Sequence, residues 1–496
     1  MFAGVDIGTS GLKAILTDED QNVVATATRP LALSRPYNGW SEQHPDLWWE
    51  AFCEVFDELA QRHPRELSAL KGIGLSGQML GTVLLDRDDK PLRPAILWND
   101  GRAWREAREL DEVVPGLGTR SCIDPDPGFG APKLMWLNKH EPEIIEKTTC
   151  LLLPKDYVSL KLTGERASEP SDASGTLLFD NITMRFASDL VEAAGFSMEK
   201  LPQLMNAWEA AGDLLPALKQ RWGIDGRVVV AGGAGDNLAC KLGVGAARPG
   251  RGVLTIGTSG VLCVSTAEFL PIPGKGVQTP PHAAPGQFSS QGVVMSATSA
   301  LDWLARLLGA CAGDLDIEAA QLLSSPEGRA RIGGAPIIAP YLDGVRTPHR
   351  NTGLRGLASA LSLSTTRQDL AWSLFEGVAF HFAEVVETQR RHGIVCERLQ
   401  LVGGGARSVL WPRLIAALFD VPLNLPKRRE NAAAIGAARL AMTAVAGGDP
   451  LEILAVEPAS ERLVEPEEDL AELLAERRQR YETASRLAIE AGIRER

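Results

Sequence analysis

The pentapeptide Ile-Gly-Thr-Ser-Gly occurs twice, as Ile7 to Gly11 and as Ile256 to Gly260, so one copy opens each half of the 496-residue chain. A repeated glycine and hydroxyl tip constrains the fold to two similar units that each present it. The flanking residues exclude a Walker loop, which needs Gly-x-x-x-x-Gly-Lys-Ser/Thr followed by a helix. Here the first tip runs into Leu12 to Leu16 and the acidic turn Asp18-Glu19-Asp20, and the second into Val261 to Ser265. These short apolar runs, with Phe2 to Ile7 and Val253 to Ile256 before the tips, read as strands. Each unit is then a hairpin whose tip offers backbone N–H groups and hydroxyls to phosphate. Gly8, Thr9 and Ser10 with Gly257, Thr258 and Ser259 become candidate phosphate-binding residues. One loop per half predicts two domains that grip a single polyphosphate across a cleft.

The chain between the tips alternates strands with helices, which indicates an α/β sheet. Strands are expected at 21–27, 70–75, 83–85 and 228–230, and a Trp-rich helix at 45–59. The chain restarts near Arg248-Pro249-Gly250. In the second half, a strand over 399–402 stops at Gly403-Gly404-Gly405-Ala406. Trp411, Leu414, Ile415, Leu418 and Phe419 follow at helical spacing, and Asn431 to Ala444 form an Ala-rich helix. The segment from Pro466 reads as an amphipathic, charged packing helix. The expected division is 1–247, 248–445 and a helical tail over 446–496.

Asp6 lies two residues before the first loop glycine. An acid beside phosphate is repulsive unless a cation intervenes, so Asp6 is the candidate metal residue, for Mg²⁺ held through water. The matching residue of the second half is Thr255, so the halves are not chemically equivalent. Lys13 could offset phosphate charge. Asp236 ends a strand inside a glycine-rich segment, where open α/β sheets line their ligand crevice. It is the candidate catalytic base, with a helix N-cap as the other reading. The triple glycine at 403–405 admits a flat group, and a helix start after it would favour anions. Adenosine binding and a plain strand–helix turn both remain open there. Gln78, Asn99 and Asp100 carry side chains suited to vicinal hydroxyls and Trp98 an apolar face for the C–H side of a sugar; Met79 and Leu80 stand beside them as candidate substrate-binding residues.

Composition narrows the partners. The formal net charge of −12 and the absence of a basic run exclude a nucleic-acid surface, and no apolar run is long enough to span a bilayer. Seven scattered cysteines without a Cys-x-x-Cys pair support neither a disulfide framework nor a zinc site. A reducing cytoplasm is the expected location, with a small molecule as the partner.

Taken in order, these segments resemble the FGGY carbohydrate kinases over nearly the whole chain, and within that family its xylulokinase branch. The stretches that carry the likeness are WSEQHPDLWW (40–49), LSGQM (75–79), PAILWNDGR (94–102), APKLMWL (131–137), LLLPKDY (151–157), ASEPSDASGT (167–176), RTPH (346–349) and VGGGARS (402–408). The resemblance implies two RNase-H-like domains of the actin/Hsp70/hexokinase type around a central cleft. It also implies ATP-dependent phosphorylation of a ketose with Mg²⁺: D-xylulose to its 5-phosphate, or else ribulose, a deoxyketose or a four-carbon sugar alcohol. It makes Asp236 the base and Asp6, Thr9, Ser10 and Lys13 the phosphate and Mg²⁺ elements. Gly257, Thr258 and Ser259 become the second phosphate loop, and Gly403, Gly404, Gly405 and Ala406 the adenosine element. Gln78, Met79, Asp236 and Asn237 fall at sugar positions, and a homodimer is a common arrangement among such kinases. Four positions depart from the pattern: Leu80 for the usual His, Gly130 for Ser, Thr or Pro, Ala360 for Gly, and Val345 for an acid. Leucine cannot bond a hydroxyl, so Leu80 predicts a weaker or altered sugar choice.

Overall fold

A computed structural model describes residues 1–492. Both expected hairpins form, each as the first two strands of a six-stranded path. In the first half, β1 (Phe2–Ile7), β2 (Gly11–Thr17) and β3 (Val23–Pro30) make an antiparallel meander. Next to β1 lies the parallel β4 (Gly72–Gly77). The antiparallel edge β5 (Ala210–Asp213) pairs with β6 (Val229–Ala231), which runs parallel to β4. The order is β3-β2-β1-β4-β6-β5. Ala234–Gly235 adds a short parallel pairing at the end of β4.

The second half repeats the plan. The meander is β7 (Arg251–Ile256), β8 (Gly260–Thr266) and β9 (Phe288–Val294). The parallel strands β10 (Arg398–Val402) and β11 (Leu423–Pro426) follow on the β7 side, and β12 (Ser460–Val464) closes the edge antiparallel. The order is β9-β8-β7-β10-β11-β12. The segment after 446 is therefore not the purely helical tail expected from the sequence. It first supplies an edge strand, because β11 would otherwise expose unpaired N–H and C=O groups. The expected tail runs to residue 496; its positions 493–496 lie outside the described residues.

Helices cover these sheets. On the first sheet, α1 (Pro45–Arg62) buries Trp48, Phe52, Phe56 and Leu59; farther along the chain come α2 (Gly130–His140) and α3 (Pro154–Thr163). The short α4 (Asp236–Gly243) leads into the second half, where α5 (Thr298–Leu308) and α6 (Arg367–Arg390) pack on the second core. Then follow α7 (Trp411–Phe419), the Ala-rich α8 (Ala432–Ala446) and α9 (Glu468–Ala491). Helix α9 packs on the body as expected, anchored by Arg477, which is 2% exposed and pairs with the buried Glu376.

The two halves meet at α4 and α8. Helix α8 follows the second sheet in the chain but lies on the first. A Cβ at Gly4 or Gly74 would overlap the carbonyls of Ala434 and Ala437, so glycine is what lets the helix reach β1 and β4. The crossing of α4 with α8 is as close, at Gly243 and Gly436. A second contact joins residues 122–126 and 181 to the second half. There Gly274 N–H donates to Asp124 (2.7 Å), Arg350 pairs with Asp124 (3.2 Å), and Asn181 Nδ2 donates to the Thr279 carbonyl (3.0 Å).

Candidate active site

The strands that feed the two tips, β1 and β7, open onto one cavity of about 660 Å³. Asp6, Lys13 and Thr255 stand in its wall with Cys240, Gly403 and Gly404; Arg407 and residues 427–434 complete it. Asp6 faces Lys13 across the β1–β2 ladder and accepts from Ser76 Oγ (2.9 Å). Burial raises its carboxyl above the usual range, against the pull of Ser76 and Lys13. Lys13 Nζ donates to the Glu430 carbonyl (2.8 Å) and Asn431 Oδ1 (3.2 Å), which ties the first hairpin to the start of α8.

Asp236 is the first residue of α4, after Gly235 at the N-cap. It keeps partial solvent access, while the protein packed around it disfavours its charge. Burial first, and then the charge of Asp6, push its carboxyl up to about 7, and the N–H of Asn237 (2.7 Å) draws it back. A base poised there matches the operating range of proton transfer near neutrality. Below the glycines before Asp236, the stem of Lys155 passes Gly233. Its ammonium meets Asp156 (2.5 Å), Glu169 (3.5 Å) and Asp172 (3.6 Å). The stretches 151–157 and 167–176 thus converge under the site. Burial and the neighbouring carboxylates lift Asp172 well above its ordinary range.

The tips have the expected free donors. Gly8 N–H and Gly257 N–H close their own turns on Gly11 and Ser259. Among the described residues, the N–H groups of Thr9, Ser10, Thr258 and Ser259 have no backbone acceptor. The Thr9 hydroxyl is committed elsewhere: it donates to Gln78 Oε1 (3.0 Å) and accepts from Trp98 Nε1 (3.1 Å). Sequence alone suggested a phosphate contact for that hydroxyl; the structure uses it to join the loop to the polyol segments.

Those segments are built differently from the sequence expectation. Gln78 is buried, and its amide also donates to Gln43 (2.8 Å). Asp100 is buried as well; both its oxygens accept from Arg102 and one from Ser41 N–H, so it holds its own turn instead of facing a ligand. Leu80 turns its side chain against Gly175 in the core, where a larger residue than glycine would collide with it. Met79 packs on Gly235, directly before the candidate base. Trp98 and Asn99 are exposed, and Asn237 is half-buried beside Asp236.

Only half of the Gly403–Ala406 element lines the cavity. Gly403 and Gly404 do; Gly405 and Ala406 are buried behind them, against Ile256 in the case of Gly405. The helix start expected next is not an anion site. A short 3₁₀ turn intervenes, and the first N–H groups of α7 are already taken by Asp316 and Ser408. Sequence reading did not locate the mouth of Arg407, Lys427, Arg428 and Arg429, which outnumber Glu430 and Glu461 there, with Arg429 paired to Glu461. It gives a protein of net charge −12 a locally positive opening, and its only sequence signal is the short Lys427-Arg428-Arg429 run before the Ala-rich helix. Among the described residues, no three His, Cys, Asp or Glu form a metal cage, and no helix is long and apolar enough to cross a membrane.

A duplicated sheet with one phosphate-type hairpin per copy and a shared cleft defines an ATPase-type fold of the actin/hexokinase class. Comparison with known proteins makes this specific. Residues 1–243 match the N-terminal domain, and residues 252–445 the C-terminal domain, of the FGGY family of carbohydrate kinases. The chain belongs to that family and is a sugar kinase. It is 39% identical to the xylulose kinase of Escherichia coli strain K12 over 445 residues, 90% of each chain. Among solved structures it is similar to a xyloylose kinase from Brucella ovis, with a TM-score of 0.93 and 41% identity over 97% of this chain and 98% of that one. It is also similar to a xylulose kinase from Rhodospirillum rubrum, with a TM-score of 0.88 and 29% identity over 97% of both. The departures from the family pattern have visible settings. Ala360 sits at φ 60°, where glycine is easier. A Cβ at Gly130 would overlap Thr176, and Val345 is fully buried.

Proposed function

We propose that the protein transfers the terminal phosphoryl group of ATP to D-xylulose and forms D-xylulose 5-phosphate. The observation that carries this reading is the placement of Asp236. It lies near enough to Asp6, a wall residue of the shared cavity, for that carboxylate to raise its own, and it directly follows the Gly235 that contacts Met79 of the acceptor segment. The curated relatives named for xylulose supply the sugar.

In this mechanism Asp236 accepts the proton of the attacking hydroxyl, a contribution of about 10²–10⁴ in rate. The free N–H groups of Thr9, Ser10, Thr258 and Ser259 hold phosphate oxygens from both sides. Lys13 and the mouth of Arg407, Lys427 and Arg428 offset their charge. Asp6 and Asp236 are neighbouring carboxyls, and among the described residues no third His, Cys, Asp or Glu joins them in a metal-binding group. That donor set fits Mg²⁺, which takes one or two carboxylates and keeps water and phosphate oxygens for the rest. When bound, Mg²⁺ neutralises charge on the phosphates. Gly403 and Gly404 offer a flat wall for adenosine.

A panel of ketoses and polyols assayed by ADP release tests the reading, with D-xylulose expected to give the highest kcat/KM. Preference for ribulose, a deoxyketose or a four-carbon polyol would transfer the assignment to that sugar. Leu80 is the observation that favours this second reading, because it leaves the acceptor side without the usual imidazole.

A further inference from the structure

Lys133 is fully buried on α2 and, among the described residues, has no carboxylate within ion-pair distance. Its ammonium donates to two backbone carbonyls, Leu80 O at 2.7 Å and Ile96 O at 3.1 Å. These carbonyls belong to two separate turns: that of Met79, which packs on Gly235 before the candidate base, and that of the exposed Trp98 and Asn99. Leu80 adopts φ 70°, the left-handed region, which is unusual for a bulky residue. Its conformation places the carbonyl on the buried amine. Such strained backbone persists where surroundings over-determine it, and it concentrates at ligand sites.

We propose that Lys133 is the positioning residue of the acceptor half-site: one buried amine ties both turns together and so sets the KM for the sugar without touching it. This rests on the reading that these turns face the sugar. Burial is what strains the arrangement chemically. It pulls the Lys133 amine down to about 7, with Asp100 and Asp126 raising it and Arg102 lowering it further. Above neutrality the amine therefore loses charge and its bonds to the carbonyls weaken, since charge-assisted bonds are roughly twice as strong as neutral ones. The clamp loosens as pH rises.

The test compares the full-length wild type with Lys133→Met and Lys133→Gln, measuring KM for D-xylulose and for ATP, and kcat, from pH 6 to 9. For the wild type, the sugar KM should rise about 3-fold or more from pH 6.5 to 8.5, as expected when charged bonds become neutral. Lys133→Met should have a sugar KM raised about 10-fold or more at pH 6.5, flat with pH, with the ATP KM within about twofold of wild type. Lys133→Gln keeps a neutral donor and should fall between, also without the pH dependence. If Lys133→Met does not fold, the Gln variant and the wild-type profile decide. A wild-type sugar KM that is flat with pH, or variants whose ATP KM moves as far as the sugar KM, would overturn the clamp. Loss of acceptor-dependent turnover in the wild type on the whole ketose panel would overturn the functional reading itself.

Discussion

The two Ile-Gly-Thr-Ser-Gly hairpins have the same sequence and the same place in their sheets, yet they are fastened in different ways. The first is held by side chains. Gln43 Nε2 donates to the Thr9 carbonyl (2.7 Å), and the Thr9 hydroxyl joins Gln78 and Trp98. The second is held mainly by backbone: Ala297 and Ser299 N–H donate to the Thr258 carbonyl, and Thr298 N–H to that of Gly257, at the start of α5, with the Ser299 hydroxyl as the one side-chain donor among the described residues (2.9 Å to Thr258 O). The residue behind each tip differs as well. Asp6 has Lys13 and Ser76 as ladder neighbours, whereas Thr255 has Val261 and Val402. Duplication preserved the donor geometry of the tip. Asp6 and Lys13 give the first copy its charge, and Gln43, Gln78 and Trp98 its link to the acceptor segments, whereas the second is a neutral clamp.

The largest break in this asymmetry is expected at Asp236, which only the first tip's side of the cleft engages through Asp6. Asp236→Asn should lower kcat by about 10²–10⁴, roughly 3–5 kcal/mol of barrier, with ADP binding by calorimetry unchanged. Next come the matched changes behind the tips. Asp6→Asn should cost about 10²-fold in kcat, and Thr255→Val less than about threefold; equal losses would mean the halves share the chemistry. The pH response follows from the raised carboxyl of Asp236. The folded group near 7 binds its proton more tightly than an unfolded aspartate near 3.8, so stability falls as pH rises between those values. kcat rises through about 7. Asp236→Asn should remove both trends and be more stable than wild type at pH 8 by about 2 kcal/mol, after allowance for its partial solvent access; a melt at pH 5 and 8 reads this. The smallest effect is at the tips. Thr9→Val, which removes two hydrogen bonds, should cost about 1–2 kcal/mol of stability and raise the sugar KM, while Thr258→Val should stay within about 0.5 kcal/mol.

Much of this was legible in the chain. Identical tips, short apolar flanks and the change to helical spacing after Ser408 marked both hairpins, the parallel strands β4, β6 and β10, and α7 to within a few residues, while the parallel strand β11 went unexpected. Asp6 and Lys13 on the first sheet and Thr255, Gly403 and Gly404 on the second converge because each lies at the strand ends of its own sheet, and strand ends line a ligand crevice. What escaped were contacts between distant segments. Gln43 reaches Thr9, and Lys133 reaches Leu80 and Ile96, only after three layers have packed. Neither local periodicity nor residue type signals such a meeting. Asp100 and Gln78 misled for the same reason. Their chemistry suits a polyol, but burial and partners such as Arg102 and Gln43 had already claimed them. The edge strand β12 was hidden in a charged stretch whose pairing depends on an exposed neighbour.

The position of α8 has a consequence for biosynthesis. Phe2 and the glycine track of β1 and β4 find their cover in Ala441, Met442 and the backbone of 434–437. A ribosome must therefore extend past residue 446 before the opening strands can be sealed. Until then the nascent chain carries an unshielded apolar face, and stop codons placed ahead of 432 should yield aggregating fragments instead of an autonomous first half.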